Sequence, residues 1–118
     1  MKIKTAELTG AALDWAVAIV EDMRIEVRPK GACGRPLYVL AAEQGREPWL
    51  WYPSTNWAQG GPIIEREKIS FCENAGRWVA GTSIKGQEQY GSTPLIAAMR
   101  CYVARELGHE VEIPKELT

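Results

Sequence analysis

The chain has 118 residues, 46% apolar and 25% charged, with 14 Lys+Arg against 15 Asp+Glu and a net charge of −1. That length is one domain's worth of protein with one core. The balanced charge excludes a basic nucleic-acid coat protein, whose affinity comes from neutralising phosphates.

Along the chain, Met1-Lys2-Ile3-Lys4 runs into Glu7 and Asp14 with no apolar stretch of signal-peptide length. Thr9 to Met23 then reads as a helix with Thr9 as N-cap. Leu13, Ala16, Val17 and Val20 recur at helical spacing, Trp15 and Ile19 widen the stripe, and Asp14, Glu21 and Asp22 fall on the wet side. Ile25 to Arg28 alternates apolar and charged, as a short edge strand does. Pro29 to Pro36 is a glycine-containing loop. Leu37 to Ala42 is a central strand, Glu43 to Pro48 a turn, and Trp49 to Tyr52 an aromatic strand.

Pro53 to Ile69 reads as a turn of helix over Asn56 to Gln59, a break at Gly60-Gly61, and a second short helix from Pro62. Each glycine costs a helix interior about 1 kcal/mol, and proline is tolerated only in a first turn. Ile69 to Glu73 and Arg77 to Ala80 form a hairpin around Asn74-Ala75-Gly76. Gly81 to Gly91 is a polar loop. Thr93 caps a last helix with Pro94 at its first position and Gly108 at its stop. Glu110 to Ile113 alternates as a final strand. Strands cluster without parallel alternation, in the order α-β-β-(β)-α-β-β-α. The expected fold is α+β, one domain over 1–118, with three helices on a mainly antiparallel sheet of about four or five strands.

Cysteines at 33, 72 and 101 form no Cys-x-x-Cys pair, and His109 is the one histidine, so a zinc site lacks ligands. Buried apolar thiols in a reducing compartment are expected. Pro48 to Ile64 is uncharged but too polar to span a membrane. A soluble intracellular protein without metal or cofactor is the expectation.

Three segments are distinctive together. They are Met1 to Gly10 with Ala12-Leu13-Asp14-Trp15-Ala16-Val17, then Tyr52-Pro53-Ser54-Thr55-Asn56-Trp57-Ala58-Gln59-Gly60-Gly61-Pro62, and Tyr90-Gly91-Ser92-Thr93-Pro94-Leu95-Ile96-Ala97-Ala98-Met99-Arg100-Cys101. Their combination closely resembles the NinX family of lambdoid phages, small proteins encoded in the nin region. The resemblance implies a phage or prophage origin, expression in the bacterial cytoplasm and a dispensable accessory role. It implies no catalytic residues. Ser54 to Glu65 and the last helix also resemble, more distantly, a second family of small phage α/β sandwich proteins. There the segment is one helix without a Gly-Gly-Pro break, which implies helix around Asn56 to Arg66.

No catalytic motif stands out. His109 follows a helix end, where the dipole favours a cation, and no nucleophile accompanies it. Gly81-Thr82-Ser83-Ile84-Lys85-Gly86 has the glycine spacing of a phosphate loop, but Gln87-Glu88 stand where Lys and Ser/Thr are required. Glu65 and Glu67, and the set Glu106, Glu110, Glu112 and Glu116, read as solvated faces. Arg24, Arg28, Lys30 and Arg35 form a basic stretch suited to an anionic partner.

The candidate ligand site joins Trp51, Tyr52, Ser54, Thr55, Asn56 and Trp57 to Tyr90, Ser92 and Thr93. Indoles stack on bases, short hydroxyl and amide side chains bond polar edges, and a helix N-terminus attracts anions. These are the parts of a site for a small anionic, nucleotide-type ligand. The alternative is that Ser54 and Thr93 are caps and that Trp49 and Trp51 share a packed strand face. The leading expectation is a non-catalytic phage accessory protein that captures such a ligand, in a counter-defence role. The alternatives are a nucleic-acid accessory factor in phage recombination or replication, and an inhibitor of a host protein, with self-association open.

Overall fold

The computed structural model describes residues 1–28 and 38–117. The loop expected over Pro29 to Pro36, with Lys30, Cys33 and Arg35, lies outside them. In chain order the elements are β1 (Lys2–Lys4), a 3-10 turn (Thr5–Glu7), α1 (Gly10–Val20), β2 (Arg24–Arg28), β3 (Tyr38–Glu43) and β4 (Arg46–Leu50). There follow α2 (Trp57–Glu67), β5 (Ser70–Asn74), β6 (Arg77–Gly81), β7 (Gln89–Gly91), α3 (Pro94–Leu107), β8 (Glu110–Glu112) and a last 3-10 turn (Lys115–Leu117).

The fold is α+β with three helices among the described residues, and every strand pair is antiparallel. The strands divide into three small sheets, in the orders β1-β8, β2-β3-β4 and β5-β6-β7, rather than one sheet. Three of the strands, β1, β7 and β8, span three residues each, and the first two are too short for a period-2 pattern to be legible. The second turn is shorter than expected: β4 begins at Arg46 and carries Pro48, so only Gln44 and Gly45 connect the strands. Pro48 is tolerated because β4 is an edge of its sheet.

Helix α3 is the hub. Thr93 Oγ1 accepts the Ile96 N–H at 3.1 Å, Pro94 occupies the first turn, and Gly108 closes the other end. Leu95, Ala97, Ala98, Met99, Cys101, Tyr102, Val103 and Ala104 are buried, covering most of the helix circumference. A helix apolar on nearly every side must be enclosed, and this one packs against α1, α2 and the sheet β5-β6-β7. Helix α1 supplies Leu13, Ala16, Val17 and Ala18, each wholly buried, to the same core.

The break expected at Gly60-Gly61-Pro62 does not occur. Helix α2 runs unbroken over Trp57–Glu67 with Pro62 inside it. A Cβ on Gly60 would stand 2.5 Å from the Pro53 carbonyl oxygen and 2.6 Å from Leu95 Cδ2. The glycine is there because α2 lies directly on the 52–55 turn and on the first turn of α3. Packing outweighs the propensity cost.

The β5-β6 hairpin forms as expected, in the register Phe71↔Ala80 and Glu73↔Trp78. Ala75 and Gly76 form its turn with φ of 54° and 86°. Positive φ at both central residues is the signature of the type I′ turn, whose twist matches the strands.

Candidate functional site

Trp51 lies just past the end of β4, so it does not share a strand face with Trp49 as expected. It is 8% exposed, and its indole N–H donates to the Asp14 carbonyl at 3.1 Å. The chain then turns: the Thr55 N–H donates to the Tyr52 carbonyl at 3.1 Å. Gln59 clamps this turn from α2. Its Oε1 accepts the Tyr52 N–H at 2.7 Å, and its Nε2 donates to the Leu50 carbonyl at 2.7 Å. Asn56 caps α2 by accepting the Ala58 N–H at 3.1 Å. Tyr52, Thr55 and Trp57 face solvent.

Ser54 is buried, and its N–H donates to Asp14 Oδ1 at 2.9 Å. Its hydroxyl is enclosed with no partner at hydrogen-bonding geometry. Asp14 is therefore not on the wet side of α1. It is 5% exposed and crosslinks α1 to the 52–55 turn. Burial pushes its carboxyl up to about 6, against the pull of the Ser54 N–H, which favours the charged form.

Trp57, at the first position of α2, packs its ring on Phe71 with centroids 6.0 Å apart. Phe71 meets Trp78 edge-on at 5.9 Å. Both arrangements fit the preferred geometries of aromatic pairs. The register places Trp78 opposite Gly91. Together with the Gly60–Leu95 contact, this row brings the segment ending at Trp57 and the segment beginning at Tyr90 into one neighbourhood.

The second segment borders a cavity of about 540 Å³ lined by Ala6, Gly76, Arg77, Glu88, Gln89, Tyr90, Gly91, Ser92 and Arg100. The Arg77 guanidinium lies over the Tyr90 ring, 4.0 Å from its centroid. Arg100 Nη1 donates to the Tyr90 carbonyl at 2.7 Å and its Nε to the Leu8 carbonyl at 2.7 Å. Partial burial holds the Arg100 pKa below the usual arginine value, leaving a cation nonetheless. Glu88 is the carboxylate at this rim, and it accepts the Gly86 N–H at 3.1 Å. The N-terminus of α3 has few donors left for an anion: Pro94 has no N–H, and Thr93 takes those of Ile96 and Ala97. The positive charge here comes from the two arginines, which sequence reasoning missed. Arg77 stands on β6 two residues before Val79, which pairs with Tyr90, and Arg100 is two helical turns past the cap. Only the assembled fold puts one over the Tyr90 ring and the other on its carbonyl.

A second cavity of about 600 Å³ is lined by Glu21, Asp22, Met23, Arg24, Ala42, Gln44, Trp49 and Trp51. On its border Glu21 accepts from Arg66 at 2.6 Å and from the Tyr102 hydroxyl at 2.6 Å, tying α1, α2 and α3 together. Glu67, read as part of a solvated face, is instead held by Arg66 and Arg105, which keep its carboxyl below the usual range. Cys72 is exposed rather than packed, and Cys101 is buried, its thiol pushed up to about 11 by burial. His109 is exposed and its carbonyl accepts the Thr5 N–H at 2.8 Å. Among the described residues no three His, Cys, Asp or Glu side chains group as metal ligands, and no helix is long and apolar enough to cross a membrane.

These features define a small α+β protein with a buried central helix, three antiparallel sheets and a two-arginine cavity at a sheet margin. A family model described as bacteriophage P22 NinX matches residues 4–106. The chain belongs to the NinX family and is a phage accessory protein. No curated protein matches the sequence.

Proposed function

We propose that this phage protein is a non-catalytic binding protein that captures a small anionic, nucleotide-type ligand, and that the capture serves counter-defence. The observation that supports the reading is the cavity where Arg77 and Arg100 flank Tyr90 and Ser92. Guanidinium groups bind phosphate oxygens in a planar fork. Tyr90 offers a ring edge or face, and Ser92 a hydroxyl. Of the residues expected at the site, Tyr90 and Ser92 line this cavity, while Asn56 and Thr93 spend their side-chain oxygens on helix caps.

Arg77 is the clean probe, because Arg100 also holds backbone carbonyls. Titration calorimetry against a panel of ribonucleoside phosphates and cyclic dinucleotides is expected to detect binding by the wild type. Arg77→Ala is expected to weaken it by about tenfold to a hundredfold, the worth of a charge-assisted hydrogen bond. Its melting temperature should stay close to the wild-type value, since Arg77 is exposed. No heat from any member of the panel, or unchanged affinity in the variant, would sink the reading. As for a nucleic-acid role, Lys30 and Arg35 of the basic stretch lie outside the described residues.

A further inference from the structure

Every sheet edge exposes backbone groups that invite a further strand, and proteins blunt such edges with charge, proline or cover. Among the described residues five of the six sheet edges are blunted. Strand β1 carries Lys2 and Lys4, and β8 carries Glu110 and Glu112. Strand β2 reads Arg24, Glu26, Arg28 at alternate positions, and β4 contains Pro48. Strand β7 has the Arg100 guanidinium seated on its Tyr90 carbonyl.

The exception is β5. Its residues Ser70, Phe71, Cys72, Glu73 and Asn74 are all exposed, with one charge and no proline. No bond from its outer edge to another described residue is formed. Beside it stand Trp57, 51% exposed, and Phe71, 37% exposed, already fixed against each other. A rigid, exposed aromatic pair beside an open edge is the composition of an interface rather than of a solvated margin.

We propose that β5 pairs antiparallel with β5 of a second copy, about a two-fold axis at Cys72. Such an interface is isologous, so one patch satisfies itself. The occupant that fits is the strand itself. Centring on Cys72 sets Ser70 opposite Asn74 and Phe71 opposite Glu73 of the other copy, so the two Glu73 carboxylates are not directly opposed and meet only on the diagonal. Both copies then present their aromatic pairs and their helices on the same side of one continuous sheet. The net charge of −1 adds almost no repulsion between copies.

The test uses light scattering on a sizing column and sedimentation equilibrium. Wild type is expected to be a dimer. Cys72→Lys, which sets two ammonium groups face to face on the axis, is expected to be monomeric with an unchanged far-ultraviolet circular dichroism spectrum and a melting temperature that no longer rises with protein concentration. Ser70→Lys serves as a second edge variant should the first misfold. In a Cys33→Ser background, mild oxidation is expected to give a covalent dimer, since directly opposed strand residues lie within disulfide reach. That product should vanish with Cys72→Ser. A monomeric wild type overturns the proposal, including one that pairs only with an added extended peptide. So does a dimer that survives both lysine variants, or one that fails to crosslink through Cys72.

Discussion

Gly60→Ala is expected to destabilise the protein by about 2–3 kcal/mol, although alanine is the better helix former. The new methyl would meet the Pro53 carbonyl oxygen at 2.5 Å and Leu95 Cδ2 at 2.6 Å. The leucine can rotate; the backbone carbonyl can yield only if the 52–55 turn moves. Its neighbour behaves differently. At Gly61 a Cβ would find Trp57 Cε3 at 3.7 Å, an ordinary contact. Gly61→Ala is therefore expected to change stability by less than about 1 kcal/mol, because the gain in helix propensity is offset by the crowding of a Cβ against the ring of Pro62 in helical backbone. Urea denaturation of the two variants measures both. Equal effects of the same sign would show that α2 does not seat on the turn and α3 as described.

Asp14→Asn is expected to change how stability depends on pH. The Asp14 carboxyl is pushed up to about 6 by burial, whereas an unfolded aspartate titrates near 4. The folded protein thus binds the proton more tightly than the unfolded chain does. The sign follows from proton linkage: stability from this group is complete below about pH 4 and is lost as pH rises through 6. A shift of about two units corresponds to about 2.7 kcal/mol. Glu67 and Glu112, with pKa values held below the usual carboxylate range, act in the reverse sense, losing stability as pH falls. The difference between variant and wild type removes their contribution. Asparagine keeps an acceptor for the Ser54 N–H and carries no charge to bury. The variant should gain on wild type by about 2–3 kcal/mol between pH 4 and pH 8, read from melts across that range. A pH-independent difference would place the carboxyl in water.

Both cases show where the sequence was legible and where it was not. The last helix was readable because Thr93, Pro94 and Gly108 are local signals acting on their own backbone. The hairpin at Ala75-Gly76 was readable for the same reason. Asp14 was not: a helical wheel ranks it by polarity, but its partner, Ser54, is 40 residues away. Gly60-Gly61-Pro62 reads as a break when only propensity is weighed, because the carbonyl that needs the missing side chain belongs to another segment. The candidate site divided along the same line. Trp57 was legible as an exposed aromatic among polar neighbours, while Arg77 and Arg100 converge on Tyr90 only through strand register and helix docking.

The pairing of β1 with β8 has a consequence for how the molecule opens. Ile3 faces Val111, and the Met1 ammonium reaches Glu112 at 2.8 Å across 111 residues of chain. Closing a loop that long costs entropy and returns a ladder of only three residue pairs. Such a clasp forms after the core that brings its halves together. Val111 and Ile113 are themselves buried in that core, so the clasp opens only with the packing around them. The two chain ends thus share the protection of the core rather than fraying as termini commonly do.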